Sequence, residues 1–592
     1  LLGTSPRLLT LTEPVLPGAH ALPFIPQHAY AAAGEATGEL VYVNYGTVAD
    51  LDRLAAAGVE LRGKIALARY GQIFRGLKVL NVQARGAVAC LLYCDPHDDG
   101  YFRGDVYPEG PMRPLPALQQ GSLHSGPPGD PIVTRGYASA DAPRSDRCAS
   151  PFLPKIPSHP LRGDVAAELL QALRGAEVPQ EWQGALSFRY HLGPGPVRVR
   201  VRIASDDGRR PIWNTFGRLT GTTHPDEWII IGAHRDAWST GAADNVSGVV
   251  TVMEAARLCA ALARQGHAPR RTLIFATWDA EEWGIVGSGE WVRQHHAVLA
   301  EQAVAYINQD MSAFGPEFSA GGSPCLRTVM RQATATVPAA DQPGRTLYDV
   351  WSADKGAPPA FPLPGGGSDH EAFLFHLGVP AAGCSYAGRM GVYHSIYDTT
   401  DWLERFGDPG YRRHSAVGRL VATAALRIAN ADVRPLDYAS YVEELLPTLA
   451  GFEMPGRISA AVAGALEDAR EALRRFGAVS ERAGDTLRRA DLDAVPPAVR
   501  DQCGRRLQLV EQAFLSPADL EACRGDEFNR HRLCGTQSDS GYGGQLFPGL
   551  QAARAANDTT LLARELAALT ESFARAGEHQ SATIAALAPA AR

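Results

Sequence analysis

Trp228-Ile-Ile-Ile-Gly-Ala-His-Arg-Asp236, with Asp244-Asn245 one loop later, decides how the chain is read. A short apolar run ends in an imidazole and a carboxylate, and Val249 to Ala263 follows with helical spacing. The pattern recurs twice. Thr272 to Trp278 runs into Asp279-Ala-Glu281-Glu282, and Ala303 to Ile307 runs into Asn308-Gln-Asp310. Strand, turn and helix in repetition predict an α/β fold, a mainly parallel sheet covered by helices, with ligands at the carboxyl ends of its strands.

Outward from that core, residues 1 to about 207 mix short strands (Leu40 to Tyr45, Lys64 to Tyr70, Val88 to Tyr93) with Pro/Gly turns and a helix over Leu77 to Arg85. The block closes on Val197 to Ile203, where Arg198, Arg200 and Arg202 share one face, read as a solvated strand face before an anion site. Beyond Pro435 the spacing is helical: Tyr441 to Arg489, Ala498 to Phe514 and Asp558 to Leu587. The 592 residues suffice for several domains, and 57 Lys+Arg against 64 Asp+Glu give a net charge of −7, without the basic surface that nucleic acid demands. No run reaches the roughly 18 uninterrupted apolar residues of a membrane span; Val249 to Ala263 is broken by Glu254 and Arg257. The 9 Cys form no CxxC pair, which excludes a zinc ribbon or a thioredoxin-like motif, and the odd count leaves disulfides unassigned. The chain opens at Leu1 without Met, so an upstream signal or anchor is expected, with a secreted or periplasmic location.

Three strands thus deliver His234, Asp244, Glu282 and Asp310 to one sheet edge, and the late segment Val392-Tyr-His-Ser395 can add His394. Alone, an HxD, a Glu-Glu or a turn Asp is most often structural; together, in this order, they form a ligand set. Imidazoles and carboxylates suit zinc. Two His, two terminal carboxylates and one shared carboxylate are what two zincs need, and a water between them loses its proton near neutrality. Asp236 is placed to hold the second nitrogen of His234. Of Glu281 and Glu282, one can ligate while the other acts as general base.

The segments Gly232 to Trp238 with Asp244, Trp278 to Gly284 with Gly287-Ser288, Tyr306 to Asp310, and Tyr393 to Tyr397 resemble the di-zinc peptidases related to glutamate carboxypeptidase II. Leu40 to Tyr45 and Ala68 to Gly76 resemble that family's protease-associated (apical) domain, and Phe547-Pro-Gly549 its transferrin receptor-like dimerisation domain. The resemblance implies a zinc-exopeptidase α/β/α sheet with an inserted β-rich apical domain and a C-terminal helical domain. Its parts would be residues 1–13, a remnant of the first protease segment; 14–207, apical; 208–432, di-zinc peptidase; and 433–592, helical, forming a homodimer. It also implies one zinc on His234 and Asp310, another on Glu282 and His394, and Asp244 bridging. Glu281 would be the general base, with Asp236 behind His234. Tyr393 would donate to the scissile carbonyl, Arg75 and Tyr542 would grip a terminal carboxylate, and Phe74 and Ser368 would complete the substrate site.

Departures from the family pattern bear on substrate. Gly541 replaces a Lys beside Tyr542, Ser122 replaces an Asn, and Ala381 to Tyr386 carries no arginine, so a less acidic peptide is expected. The family's structural calcium site keeps Thr134, Tyr137 and Glu290 but has Arg293 in place of an acid, which argues against that ion. The expected activity is a carboxypeptidase or dipeptidase acting on short peptides. An aminopeptidase using Asp369 or Glu371 for the α-amine stays open; a non-catalytic receptor and a one-zinc cyclase are the remoter alternatives. The sequon Asn245-Val-Ser247 lies inside the metal loop and is read as chance.

Overall fold

The computed structural model describes residues 7–17, 21, 23–352, 359–454, 458–520 and 525–591. The first six residues of the expected opening segment and Cys523 lie outside the described residues. The metal-bearing region is built on a six-stranded sheet. Its order is Glu317–Gly322, Ala381–Ala387, Ala303–Asn308, His224–His234, Arg271–Trp278 and Thr215–Leu219. The four inner strands are parallel and the two edge strands antiparallel. Side chains alternate across the pleat. Ile229 and Ile231 meet the helices Ser247–Arg264 and Arg412–Asn430, while Ile230 packs with Trp278, Tyr306 and Phe373 on the other face.

From His224–His234 the chain crosses first to Arg271–Trp278 on one side and later to Ala303–Asn308 on the other. This reversal opens a crevice at the carboxyl end of the central strand, where open α/β sheets bind ligands. Gly232 is required there. A Cβ on it would lie 2.4 Å from the Tyr306 hydroxyl and 2.5 Å from Trp278 Nε1, two groups that hydrogen-bond to each other at 2.9 Å. Helix Ala242–Arg264 is the one described helix long and apolar enough, by composition, to span a membrane. In this fold Thr251, Val252, Ala255 and Cys259 on it are buried.

The N-terminal region folds on its own five-stranded sheet, ordered Ser158–Leu161, Ala89–Tyr93, Ile65–Arg69, Gly34–Tyr42 and Arg198–Ile203. Only the last pairing is antiparallel. The alternating arginine strand lies on this edge with its valines inward; Arg198 stands opposite Glu39 and Arg202 opposite Glu35, so the face is charge-paired across strands. The C-terminal helices are not a separate body. Leu445, Leu473, Phe514 and Phe573 belong to the same apolar core as Ile229 and Leu273 of the sheet. The stretch read as one helical block, Tyr441 to Arg489, divides into Ala439–Ala450 and Ala460–Arg489, the second capped by the Ser459 hydroxyl. The eight described cysteines are all free thiols.

A buried ionic pin fastens these helices to the amino end of the sheet. Glu227 accepts from Arg271 Nε at 2.5 Å and pairs with Arg434 Nη2 at 2.9 Å. Arg434 in turn reaches Gln508 of helix Pro497–Gln512, whose amide donates to Ala303 O at 3.0 Å. Burial alone would raise the Glu227 pKa, but the two guanidiniums outweigh it and bring it down to about 2 from 4.5. Because the folded-state value is depressed, the stabilisation is fully present above pH 4.5 and is lost as pH falls toward 2. Glu227→Gln should therefore destabilise the protein by about 3 kcal/mol at pH 7, leaving two buried guanidiniums unpaired. The gap between the urea-unfolding midpoints of wild type and variant should narrow at pH 3.5 and close toward pH 2; a gap that stays as wide as at pH 7 would show that the ion pair is not its source.

Candidate metal centre and active-site cleft

His234 is the last residue of the central strand, in register with Trp278, and Asp310 lies two residues past Asn308, whose partner is Gly232. Geometry of the sheet alone thus puts the imidazole and both carboxylate-bearing turns at one edge. His394 arrives from a loop outside the sheet, held in the left-handed region at φ 57°. His234 Nε2 lies 3.3 Å from Asp244 Oδ1 and 3.3 Å from Asp310 Oδ1. His394 Nε2 lies 3.0 Å from Asp244 Oδ2 and 3.3 Å from Glu282 Oε2. Two three-donor groups therefore share Asp244, one carboxylate oxygen to each.

These spacings fit zinc. Donors about 2.0–2.1 Å from a tetrahedral ion stand about 3.3 Å apart. The donor chemistry also asks for a cation. Burial, then the neighbouring carboxylates, pushes Glu281 and Glu282 well above the usual range. Burial opposes the charge on His234, yet Asp310 and Glu281 outweigh it and raise its pKa. Glu282 Oε1 is buried with no donor in reach. Such a nest of acceptors is stable when positive charge sits among them.

Residues around the nest fix its geometry. The second nitrogen of His234 donates to the backbone carbonyl of Asp236 at 3.1 Å, with the Asp236 carboxylate farther off at 3.6 Å. That carboxylate instead accepts from the backbone N–H groups of Glu281 (3.0 Å) and Glu282 (3.1 Å), holding the turn that carries the base and a ligand. The sequence reading gave Asp236 to the imidazole; its nearer partners are these two amides. Ser368, expected at the substrate, donates to Asp310 Oδ2 at 2.7 Å and accepts from Asn308 at 2.8 Å. Three supports had not been assigned roles from sequence. Trp238 Nε1 donates to Glu282 Oε2 at 2.5 Å. The Asp398 carboxylate accepts from the amides of Ala243 and Asp244 at 2.8 and 3.0 Å. The carbonyl of Gln120 takes His394 Nδ1 at 3.0 Å, turning Nε2 toward the nest. Asn245 is buried and bonds Gln309 O, Gly248 N and Met311 N, which removes it as a glycosylation acceptor in the folded chain.

A cavity of about 300 Å³ opens onto Glu281, Glu282, Tyr393 and His394. Arg75 and Phe74 enter it from the apical region and Tyr542 from the C-terminal region, so three parts of the chain form its wall. Phe74 and Tyr542 meet edge-to-face at 5.5 Å, and Phe74 N donates to Ser540 O at 2.7 Å. The Arg75 guanidinium is buried, touches His394 Nδ1 at 3.4 Å, and has no carboxylate in ion-pair range among the described residues. Gly121 makes room for it: a Cβ there would lie 2.4 Å from the guanidinium carbon. Of the residues compared with a calcium site, Glu290 accepts from the amides of Asp130 (2.7 Å) and Ala138 (2.8 Å), and Arg293 lies 3.3 Å from it. Thr134 donates to Pro143 O.

Residues 214–406 match peptidase family M28, residues 36–123 match the PA domain, and residues 460–580 match the transferrin receptor-like dimerisation domain. A probable glutamate carboxypeptidase of Zea mays is 33% identical over 552 residues, covering 92% of this chain and 73% of its own. Aminopeptidase NAALADL1 of Mus musculus is 33% identical over 547 residues, covering 87% and 73%. Transferrin receptor protein 2 of Homo sapiens is 35% identical over 435 residues, covering 70% and 52%.

Trp238→Phe keeps the ring but removes the donor to Glu282. If each of the two donor groups holds zinc, affinity should fall by about tenfold at the group that contains Glu282 and stay unchanged at the other. Titration of the metal-stripped variant with zinc checks this; two unaltered affinities would remove Trp238 from the support of the ligand.

Proposed function

The chain belongs to peptidase family M28, and on that premise we propose that it is a zinc-dependent exopeptidase that recognises the free carboxylate of a short peptide and releases its C-terminal residue. One observation carries the carboxypeptidase reading. A buried guanidinium with no carboxylate of its own faces the same cavity as the nest of ligands. A planar fork of N–H donors pairs bidentately with a carboxylate, and burial strengthens that pairing.

His234, Asp244 and Asp310 would hold one zinc, and Asp244, Glu282 and His394 a second, each built from imidazole and carboxylate donors. Zinc bound there supplies Lewis-acid polarisation of the carbonyl and makes an attacking water acidic near neutrality. Glu281, its amide fixed by Asp236, takes the proton of that water on its carboxylate and returns it to the departing amine nitrogen. The Tyr393 hydroxyl donates to the oxygen that gains charge as the carbonyl is attacked. Arg75, with Tyr542 beside it, anchors the terminal carboxylate and so fixes which bond meets the base.

A second cavity of about 250 Å³ reaches Asp310 and Asn308, walled by the paired strands Glu317–Gly322 and Ala381–Ala387 and by Pro362 to Pro364. No Lys or Arg among the described residues lines it. It supports an uncharged residue on the amino side of the scissile bond, because an acidic side chain there would lose its hydration with no cation among these residues to meet it. The aminopeptidase alternative rests on Asp369 or Glu371: Glu371 lines the first cavity, but its oxygens already accept from Gly367 N and from Thr536 Oγ1, and Asp369, which accepts from Ser288 Oγ, lies outside that lining. The long helices Ala460–Arg489 and Thr559–Leu587 support a homodimer, through the part of the chain that matches the dimerisation domain.

Glu281→Gln should lower kcat by about 10²–10⁴-fold while zinc content by mass spectrometry stays near two per chain; wild-type turnover in this variant would remove Glu281 as the base. Arg75→Ala should raise KM steeply for peptides with a free C-terminus and leave C-terminally amidated peptides nearly unaffected. Within a free-carboxylate panel, dipeptides with a neutral first residue should be turned over faster than those beginning with Asp or Glu. Faster hydrolysis of Xaa-p-nitroanilides than of any N-acetylated dipeptide would transfer the assignment to an aminopeptidase.

A further inference from the structure

The loop that carries Tyr393 and His394 lies outside the sheet ladder, and its metal-facing residue sits at φ 57°, a backbone state that costs a β-carbon-bearing residue about 1 kcal/mol or more. Its neighbours must enforce that state. From the apical side, Gln120 brackets His394, donating its N–H to His394 O at 3.0 Å and accepting from Nδ1 at 3.0 Å. Two further groups grip the loop on either side of His394. Arg113, 3% exposed, donates from Nη2 to Tyr393 O at 2.8 Å, from Nη1 to Leu118 O at 2.7 Å and from Nε to Asp99 at 2.6 Å. Glu13, 6% exposed, accepts from Ile396 N at 3.1 Å and from Leu118 N at 3.0 Å.

The backbone of Leu118 is therefore held at both its C=O and its N–H, and the same two side chains hold Tyr393 and Ile396. Side chains here do what strand pairing does elsewhere: they lock a loop of one region in register with a loop of another. Chemistry restricts the choice of residue. A guanidinium spreads its N–H groups over three nitrogens in a fixed fork and so reaches three separated acceptors at once, whereas the three N–H donors of an ammonium radiate from one nitrogen. A carboxylate can accept on both oxygens, and an amide would turn its NH₂ toward one of the two backbone N–H groups.

We infer that Arg113 and Glu13 are positioning residues for His394 and Tyr393, so that the apical region and the N-terminal segment set the geometry of one half of the metal centre. The inference rests on the reading of His394 as a ligand and Tyr393 as the oxyanion donor; neither Arg113 nor Glu13 touches metal or substrate.

The test uses Arg113→Met, Arg113→Lys and Glu13→Gln, with Arg162→Met as a control that contacts the N-terminal segment at Thr12 O but not the loop. Hydrogen exchange on the metal-free protein reads the clamp directly. The amides of residues 392–397 should exchange at least about tenfold faster in Arg113→Met and Glu13→Gln, with Ile229 to Ile231 unchanged and the control silent. Zinc titration should show one affinity lowered by about 10–100-fold and the other kept, with Arg113→Lys in between. kcat should fall while KM for a free-carboxylate dipeptide holds, since Arg75 is untouched. Unaltered loop exchange, or equal loss of both zinc affinities together with protection across the whole chain, would overturn the positioning role. If Arg113→Met unfolds the apical sheet, the isosteric Glu13→Gln decides. A wild-type chain that binds no zinc, but whose loop exchange still responds to these variants, would overturn the metallopeptidase reading and leave the clamp standing.

Discussion

Negative charge held out of water is the constraint around which this structure is arranged. Asp244, Glu281, Glu282 and Asp310 converge on two imidazoles at the carboxyl edge of one sheet, with Asp236 and Asp398 immediately behind. Carboxylates so placed repel one another and lack hydration, so each must be met by a donor or a cation. The surrounding fold supplies the donors with care. Backbone amides face Asp236 and Asp398, an indole faces Glu282 and a hydroxyl faces Asp310. The oxygens that face His234 and His394 lie at spacings that suit zinc, and at Glu282 the same Oε2 also takes the indole N–H.

The strand-end logic made much of this legible in the sequence. An apolar run that stops at His234, another at Asp279 and a third at Asn308 implied the parallel sheet, and the sheet implied that their terminal polar residues meet. What stayed hidden has a common physical character: it depends on contacts between segments far apart in the chain, made by groups with no sequence signature. The backbone carbonyl of Gln120 that orients His394 is invisible by residue type. Trp238 sits inside the decisive motif, yet its role follows only from where its N–H points. Asp236 was assigned by proximity in sequence to its own imidazole, whereas the fold brings two amides from the next strand's turn closer to its carboxylate. The arginine strand Arg198–Ile203 was read correctly as a solvated face; the cross-strand glutamates that pair with it are visible only once the register is fixed.

The cleft is assembled from three regions that fold on different schemes. A five-stranded sheet contributes Phe74 and Arg75, the central sheet the ligands, and the C-terminal region Tyr542. The last two share one apolar core, while the apical sheet keeps a core of its own and meets the His394 edge through a smaller apolar cluster, Tyr107 and Ala117 against Ala242, Val392 and Ile396, as well as through polar contacts. The walls of the cleft are thus divided between surfaces whose relative placement these contacts determine. Changes around Phe74 or Tyr542 can reshape the cleft without altering the donors around the metal, whereas changes at Arg113 or Gln120 reach His394 itself.

The ionic pin of Glu227, Arg271 and Arg434 lies at the opposite end of the strand that terminates in His234. Glu227 and His234 are seven residue steps apart on this extended strand, roughly 23 Å at about 3.3 Å per residue. Robustness and turnover are therefore governed from opposite poles of one strand. A designer seeking a hardier protein would work at the amino pole, where the residues to be changed contact none of the ligand or cleft side chains.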